Sequence, residues 1–276
     1  MPMAEETLGI VAGKGEMPVL MAREARDKGF RVVTAALEGM ADHDPAAYSD
    51  DHRFINIGKI GGILKYLKSE GAGSVLFAGK VLKIRIYEGK VRPDLKAIGI
   101  LMKMRDQRDD SFMDTIFAAF EDAGIKVADM REFCGPMLVS EGLLAGGKPG
   151  KKEMKDVEFG FRMAKGVGAL DIGQTVVVKD GNVMAVEAIE GTDEAILRGG
   201  RLSGPGAVVV KVLRPKQDPR CDLPAAGIET ILAMAECGAR VLALEAGAGI
   251  IINREEVVNA AVSAGISVVG FSDPSL

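Results

Sequence analysis

Apolar runs that stop at glycine and give way to helix-patterned segments constrain this chain more than any other feature. Leu8–Ala12 is such a run, followed by Gly13 and Gly15 and then by a helical stretch from Pro18 to Lys28 that Gly29 stops. Arg31–Ala36, Phe54–Ile57 and Ser74–Ala78 read as further strands, Ile63–Ser69 and Asp114–Ala123 as helices, and Ile125–Ala128 as the strand after Gly124. Strands that alternate with helices predict a parallel sheet covered on both faces, here a Rossmann-like N-terminal domain over residues 1–130.

The alternation breaks at Arg131-Glu132-Phe133-Cys134-Gly135-Pro136, and Gly146–Gly150 is rich in turn formers, which places a linker over residues 131–150. Beyond it, Thr175–Lys179 and Val183–Glu187 flank Asp180-Gly181-Asn182, a hairpin signal. Lys152–Lys165, Thr192–Arg198, Ile228–Cys237 and Glu255–Ala264 read as helices. Ala207–Leu213, Arg240–Leu244, Gly249–Ile252 and Ser267–Val269 read as strands. Hairpin and crossover signals together predict a mixed sheet, so residues 151–276 are expected to form a C-terminal catalytic α/β domain.

Composition agrees with two domains: 276 residues exceed one ordinary core, with 47% hydrophobic and 27% charged residues. A net charge of −4 argues against general nucleic-acid binding. Cys134, Cys221 and Cys237 form no paired spacing, which fits a reducing compartment and offers neither a disulfide framework nor structural zinc. No signal-peptide pattern opens the chain and no window approaches a spanning helix, so a cytoplasmic protein is expected. His43 and His52 both fall in the first half. If catalysis sits in the second, carboxylates, lysine or metal-bound water must do the acid–base work.

The residues that carry chemistry collect at strand ends. Gly13-Lys14-Gly15 lies between a strand and a helix, where backbone N–H groups can receive a phosphate. A plain tight turn explains it as well, and its spacing is neither a dinucleotide fingerprint nor a Walker loop. Phe77-Ala78-Gly79-Lys80 repeats the design, and open parallel sheets bind ligands beyond the carboxyl ends of their strands. From Lys80 to Arg108 runs a basic segment (Lys83, Arg85, Lys90, Arg92, Lys96, Lys103, Arg105) interleaved with Leu95, Ile98, Leu101 and Met102 at roughly helical spacing. Such a face either rests on anionic headgroups or an acyl chain, or packs on its own sheet.

In the second half Glu187, Glu190, Asp193, Asp218 and Asp222 stand beside Lys211, Arg214, Lys216 and Arg220. Carboxylates hold hard cations such as Mg²⁺, and lysine or arginine neutralises phosphate oxygens, so the mixture points to phosphate-ester or pyrophosphate chemistry. Thr192 is a candidate N-cap, and Asp193 suits the first turn of a helix without any further role. Glu187 is harder to explain away, because it continues an otherwise apolar strand. Pro215, Pro219 and Pro224 restrict the loop that carries Asp218 and Asp222.

Five of these segments, taken in order, resemble the LpxI-type UDP-2,3-diacylglucosamine pyrophosphatases over nearly the whole chain: Gly9–Gly15, Phe77–Val81, Leu170–Gln174, Val186–Asp193 and Lys216–Pro224. The last three are the specific ones. The resemblance implies hydrolysis of UDP-2,3-diacylglucosamine to UMP and 2,3-diacylglucosamine 1-phosphate (lipid X) in lipid A biosynthesis, assisted by Mg²⁺, with the substrate held between two domains. It puts the critical catalytic carboxylate at Asp222, with Glu190 and Asp193 as further catalytic acids and Asp222 and Glu190 as metal ligands. On this reading Gly13, Lys14, Gly15, Gly79, Lys80, Gln174, Gly191, Thr192, Lys211 and Arg220 contact substrate. The glycine turns receive the nucleotide or phosphosugar, and Lys211 and Arg220 offset charge on the leaving phosphate. The implied partners are the glycolipid nucleotide and, transiently, the inner face of the inner membrane, with no nucleic acid and with room for a homodimer. Two other functions stay open: an NAD(P)-dependent oxidoreductase built on the N-terminal sheet, and a non-catalytic sensor of nucleotide sugars or lipids.

Overall fold

The computed structural model describes residues 6–81, 92–103 and 109–273, and the chain divides into two compact units, Met1–Cys134 and Gly135–Leu276. Both are α/β. The first holds β1 (Thr7–Ala12), α1 (Met17–Asp27), β2 (Arg31–Leu37), β3 (Asp51–Ile55), α2 (Ile60–Ser69), β4 (Ser74–Ala78), α3 (Leu95–Lys103), α4 (Asp109–Glu121) and β5 (Lys126–Val127). Its strands pair in parallel in the order β3-β2-β1-β4-β5. β1 and β2 are buried almost throughout, because helices cover both faces of the sheet, and their sequences are accordingly apolar without alternation. α1 buries Pro18, Met21, Ala22 and Ala25, the inward stripe of an amphipathic helix. Phe77 of β4 meets Phe117 and Phe120 of α4 at ring-centroid distances of 5.1 Å, so these two phenylalanines are core residues.

The strand order reverses between β1 and β4, and there the two glycine turns meet. Lys14 N–H donates to Lys80 O (2.9 Å), Lys80 N–H returns the bond to Lys14 O (2.8 Å), and Gly13 N–H donates to Ala78 O (2.8 Å). The approach leaves no room for side chains. A Cβ on Gly13 would lie 2.7 Å from Lys80 O, and one on Gly79 would lie 2.8 Å from Lys14 O. Gly79 also has φ +88°, which L side chains rarely adopt. Of the basic segment, Lys83, Arg85, Lys90, Arg105 and Arg108 lie outside the described residues. Within α3, Leu95 and Met102 are 89% and 82% exposed, whereas Ala97 and Ile100 are buried.

The second unit contains β6 (Gly142–Ala145), α5 (Lys151–Ala169), β7 (Thr175–Lys179), β8 (Asn182–Val186), α6 (Thr192–Ser203), β9 (Val208–Lys211), β10 (Ala225–Ala226), α7 (Ile228–Cys237), β11 (Val241–Glu245), β12 (Ile250–Ile251), α8 (Arg254–Ser263) and β13 (Ser267–Phe271). Six strands pair in the order β6-β13-β11-β9-β7-β8. β13, β11 and β9 are mutually parallel, while β6, and β7 with its neighbours on either side, add antiparallel pairs, so the sheet is mixed. Residues 131–150, expected as a linker, carry structure of their own: two 3₁₀ turns between Met130 and Met137, and β6, which pairs with β13.

The valine runs of β7 and β9 follow from double coverage. Val176, Val178, Val208 and Val210 pack with Val157, Phe161 and Ala164 of α5. Val177 and Val209 face the opposite way, into a core shared with Ile196 of α6 and Ile231 and Met234 of α7. The hairpin between β7 and β8 turns at Asp180 (φ 52°) and Gly181 (φ 72°), and the buried Asp156 carboxylate accepts both of their N–H groups (2.9 and 2.7 Å). Because β7 reverses direction between β8 and β9, the carboxyl ends of β8, β9 and β11 share one edge with the start of β7.

The glycine crossing yields a direct test. Gly79→Ala is expected to lower unfolding free energy by about 2–4 kcal/mol, combining a disfavoured φ with backbone overlap, as read by urea unfolding.

Candidate active site

β9 ends in a lysine, and this is what organises the shared edge. Lys211 stands opposite Thr175 across the β7–β9 ladder and is only 7% exposed. A buried ammonium requires partners. Its Nζ donates to Thr192 Oγ1 (2.9 Å), and the Thr192 hydroxyl donates onward to Glu187 Oε1 (2.7 Å). Glu187, 9% exposed, also accepts the Gln174 N–H through Oε2 (3.3 Å). A cation and a carboxylate thus face each other through one hydroxyl, whose proton is committed to the acid. The local backbone makes this arrangement. Gly191 (φ 88°) turns the chain so that Thr192 opens α6, and Gly173 has no Cβ because one would lie 2.0 Å from Glu187 O. Beside Glu187, Gln174 Oε1 and Thr175 Oγ1 are buried without a hydrogen-bond partner.

Glu190 and Asp218 have their own cations, and Asp193 has a hydroxyl. Glu190 takes a salt bridge from Arg198 (2.5 Å), which also donates to Val186 O (2.8 Å). Its own backbone N–H first, and then the Arg198 guanidinium, hold its carboxyl below the usual carboxylate range. Asp193, exposed in the first turn of α6, accepts the Thr230 hydroxyl from α7 (3.3 Å). On the loop after β9, Arg220 grips Asp218 through Nε (2.9 and 3.1 Å) and Nη2 (2.6 Å). The loop is fastened at its root, where Lys165 and Leu213 N–H both bond Glu245 (2.7 and 2.8 Å).

Asp222 lies further along this loop with 57% of its side chain exposed. It accepts a hydrogen bond from Gln217 Nε2 and lies 3.9 Å from Arg214 Nη2. Arg214 in turn bonds Asp171, which joins the Leu170–Gln174 segment to the Lys216–Pro224 segment. Glu187, Thr192, Lys211 and Gln174 are therefore one bonded group, and Asp222, Gln217, Arg214 and Asp171 another, both rooted at the same edge. Backbone connects them, since Val212 N–H donates to Gln174 O (3.0 Å). Sequence reasoning reads Arg214 only as one of the cations beside these acids and passes over Gln217; the signal for Gln217 is its place inside the Lys216–Pro224 segment.

Among the described residues no group of three or more His, Cys, Asp or Glu side chains is arranged to hold a metal ion. Glu190, expected as a metal ligand with Asp222, is paired with Arg198 instead. Mg²⁺ commonly takes one or two protein carboxylates and completes its shell with substrate phosphates and water. The exposed Asp222 carboxylate fits that smaller requirement.

In the first unit, the N–H groups expected to receive phosphate are used within the protein. Gly13, Lys14 and Lys80 donate to the facing turn, and Gly15 N–H donates to Asp42 Oδ1 (2.7 Å). The side chains of Lys14 and Lys80 are exposed at these turns.

The buried relay has a measurable signature. Glu187→Ala is expected to cost about 2–4 kcal/mol, since it removes the buried carboxylate that answers Lys211 through the Thr192 hydroxyl. The Glu187→Ala/Lys211→Met pair is expected to cost less than the sum of its single changes in urea unfolding.

The LpxI N-terminal domain family matches residues 7–137, and the LpxI C-terminal domain family matches residues 140–269. A relative from Caulobacter vibrioides, named UDP-2,3-diacylglucosamine pyrophosphatase LpxI, is 33% identical over 274 residues, covering 95% of this chain and 96% of its own. Two solved structures that this chain resembles are far more distant. A CobK precorrin-6A reductase covers 98% of this chain and 88% of its own at 14% identity, with a TM-score of 0.29. A biotin carboxylase domain from Hydrogenobacter thermophilus 2-oxoglutarate carboxylase covers 64% of this chain and 35% of its own at 13% identity, with a TM-score of 0.28. With both domain families matched in order and a relative aligned along almost its full length, the chain belongs to the LpxI family.

Proposed function

We propose that this protein hydrolyses the pyrophosphate bond of UDP-2,3-diacylglucosamine, releasing UMP and 2,3-diacylglucosamine 1-phosphate in lipid A biosynthesis. The observation that carries this reading is the 33% identity, over 95% of the chain, to a relative that bears that activity in its name. The site chemistry supports it. Cleaving a diphosphate requires compensation of charge on phosphoryl oxygens and a carboxylate that can orient a cation or a water. Lys211 supplies buried positive charge at the sheet edge, and Asp222 supplies an exposed carboxylate on the adjoining loop. In the first unit, Lys14 and Lys80 are exposed cations at the switch point, where parallel sheets take ligands. Arg220 is bound to Asp218, so its charge contributes through that pair rather than as a bare guanidinium.

Asp222 is the residue that would hold Mg²⁺ together with the substrate diphosphate. When bound, the ion would supply charge neutralisation at the reacting phosphoryl group. A membrane-surface encounter belongs to the same reading, because the substrate is a glycolipid and α3 presents Leu95 and Met102 outward. Among the described residues no helix is long and apolar enough to cross a membrane.

Following UMP release from UDP-2,3-diacylglucosamine tests the proposal. The wild-type chain is expected to form UMP in Mg²⁺ and to lose that activity in EDTA. Asp222→Asn is expected to lower kcat by about 10²–10³-fold. Substrate binding without UMP release would favour a sensor, and near-normal turnover of Asp222→Asn in saturating Mg²⁺ would remove Asp222 from the chemistry.

A further inference from the structure

Gln217 is 6% exposed, and both ends of its side-chain amide are bonded. The Arg214 backbone N–H donates to Gln217 Oε1 (3.1 Å). An N–H cannot accept, so the oxygen end of the amide must face Arg214. The NH₂ end is thereby turned toward Asp222, and Nε2 donates to Asp222 Oδ2. An NH₂ group only donates, so Asp222 Oδ2 serves as the acceptor. The frame around the amide is stiff. Gln217 N–H bonds Arg214 O (3.0 Å), and Asp222 N–H bonds Asp218 O (3.2 Å). Gly168 seats α5 against the turn, where a Cβ would come within 3.2 Å of Arg214 Cγ and 3.3 Å of Pro215 Cδ. Arg214 reaches Asp171 with one nitrogen and Asp222 with the other, across 3.9 Å.

We propose that Gln217 is a positioning residue for Asp222: a buried amide, its direction fixed by the Arg214 backbone, presents a donor that orients the reacting carboxylate. The proposal rests on the hydrolase reading for its consequence in turnover, but not for the bond itself. Groups that orient a metal-binding or reacting side chain commonly change activity by about 10–100-fold when altered, although they touch no substrate.

Gln217→Glu and Gln217→Met test the assignment. The first keeps the shape and the acceptor for Arg214 N–H but sets a carboxylate against Asp222, and the second removes the amide without adding charge. Expected are a kcat lower by about 10–100-fold and a KM within about threefold of wild type. In an Asp222→Asn background either change is expected to produce no additional loss. Unchanged kcat, an equal loss in both backgrounds, or a rise in KM alone would overturn the assignment. Should Gln217→Glu fail to fold, Gln217→Met provides the same kinetic comparison. The bond has a readout that needs no turnover. In ¹⁵N–¹H spectra of the full chain, the Gln217 side-chain amide signals, identified by their loss in Gln217→Glu, are expected to move in Asp222→Ala while backbone signals outside the loop stay in place. Amide signals that do not respond to Asp222→Ala would refute the contact. Absence of UMP release by the wild type with that response intact would instead refute the hydrolase reading alone.

Discussion

A lysine buried at the end of a valine strand is the constraint on which the C-terminal unit's site depends. Lys211 lies between β7 and β11 in a sheet covered on both faces, where an unpaired ammonium would cost several kcal/mol. Glu187 compensates it, though through the Thr192 hydroxyl rather than by direct contact. For the hydroxyl to be there, α6 must begin at residue 192, which the positive φ of Gly191 arranges. For Glu187 to be there, β8 must end against the start of β7, which the absent Cβ of Gly173 permits. Strand register, helix start and two glycines are thus parts of one solution to one charge.

That coupling explains which features were legible in the sequence. The β7–β8 hairpin could be read because Asp180-Gly181 is local turn chemistry, and the runs of β7 and β9 because double coverage removes alternation. β6 could not: it is short, at an edge, and paired antiparallel with β13 from the far end of the chain, so no local pattern announces it. Glu187 stood out as a carboxylate closing an apolar strand, and it is buried and bonded at that point. The Gly13 and Gly79 turns were read for their free N–H groups. The structure uses those groups to join β1 to β4, a pairing that depends on which strand becomes the neighbour and is invisible in either turn alone.

The acidic cluster shows why composition overstates a metal site. Read along the chain, Glu190, Asp193, Asp218 and Asp222 look like a set of cation ligands. Folded, Glu190 is held by Arg198 at 2.5 Å and Asp218 by Arg220 at 2.6 Å, while Asp193 takes the hydroxyl of Thr230. Partly exposed ion pairs contribute little to stability. Here their effect is on availability, since each acid so paired has its charge answered locally.

Asp222 differs from these acids in exposure, and the difference bears on function. Of its side chain 57% is exposed, against 29% and 24% for Glu190 and Asp218. One of its donors is the neutral amide of buried Gln217, and an amide directs a carboxylate without cancelling its charge. On the same loop Asp218 takes both the Arg220 guanidinium and the Arg220 backbone N–H, and so closes the turn on itself. One short segment thus carries an acid that holds its turn and an acid that faces solvent.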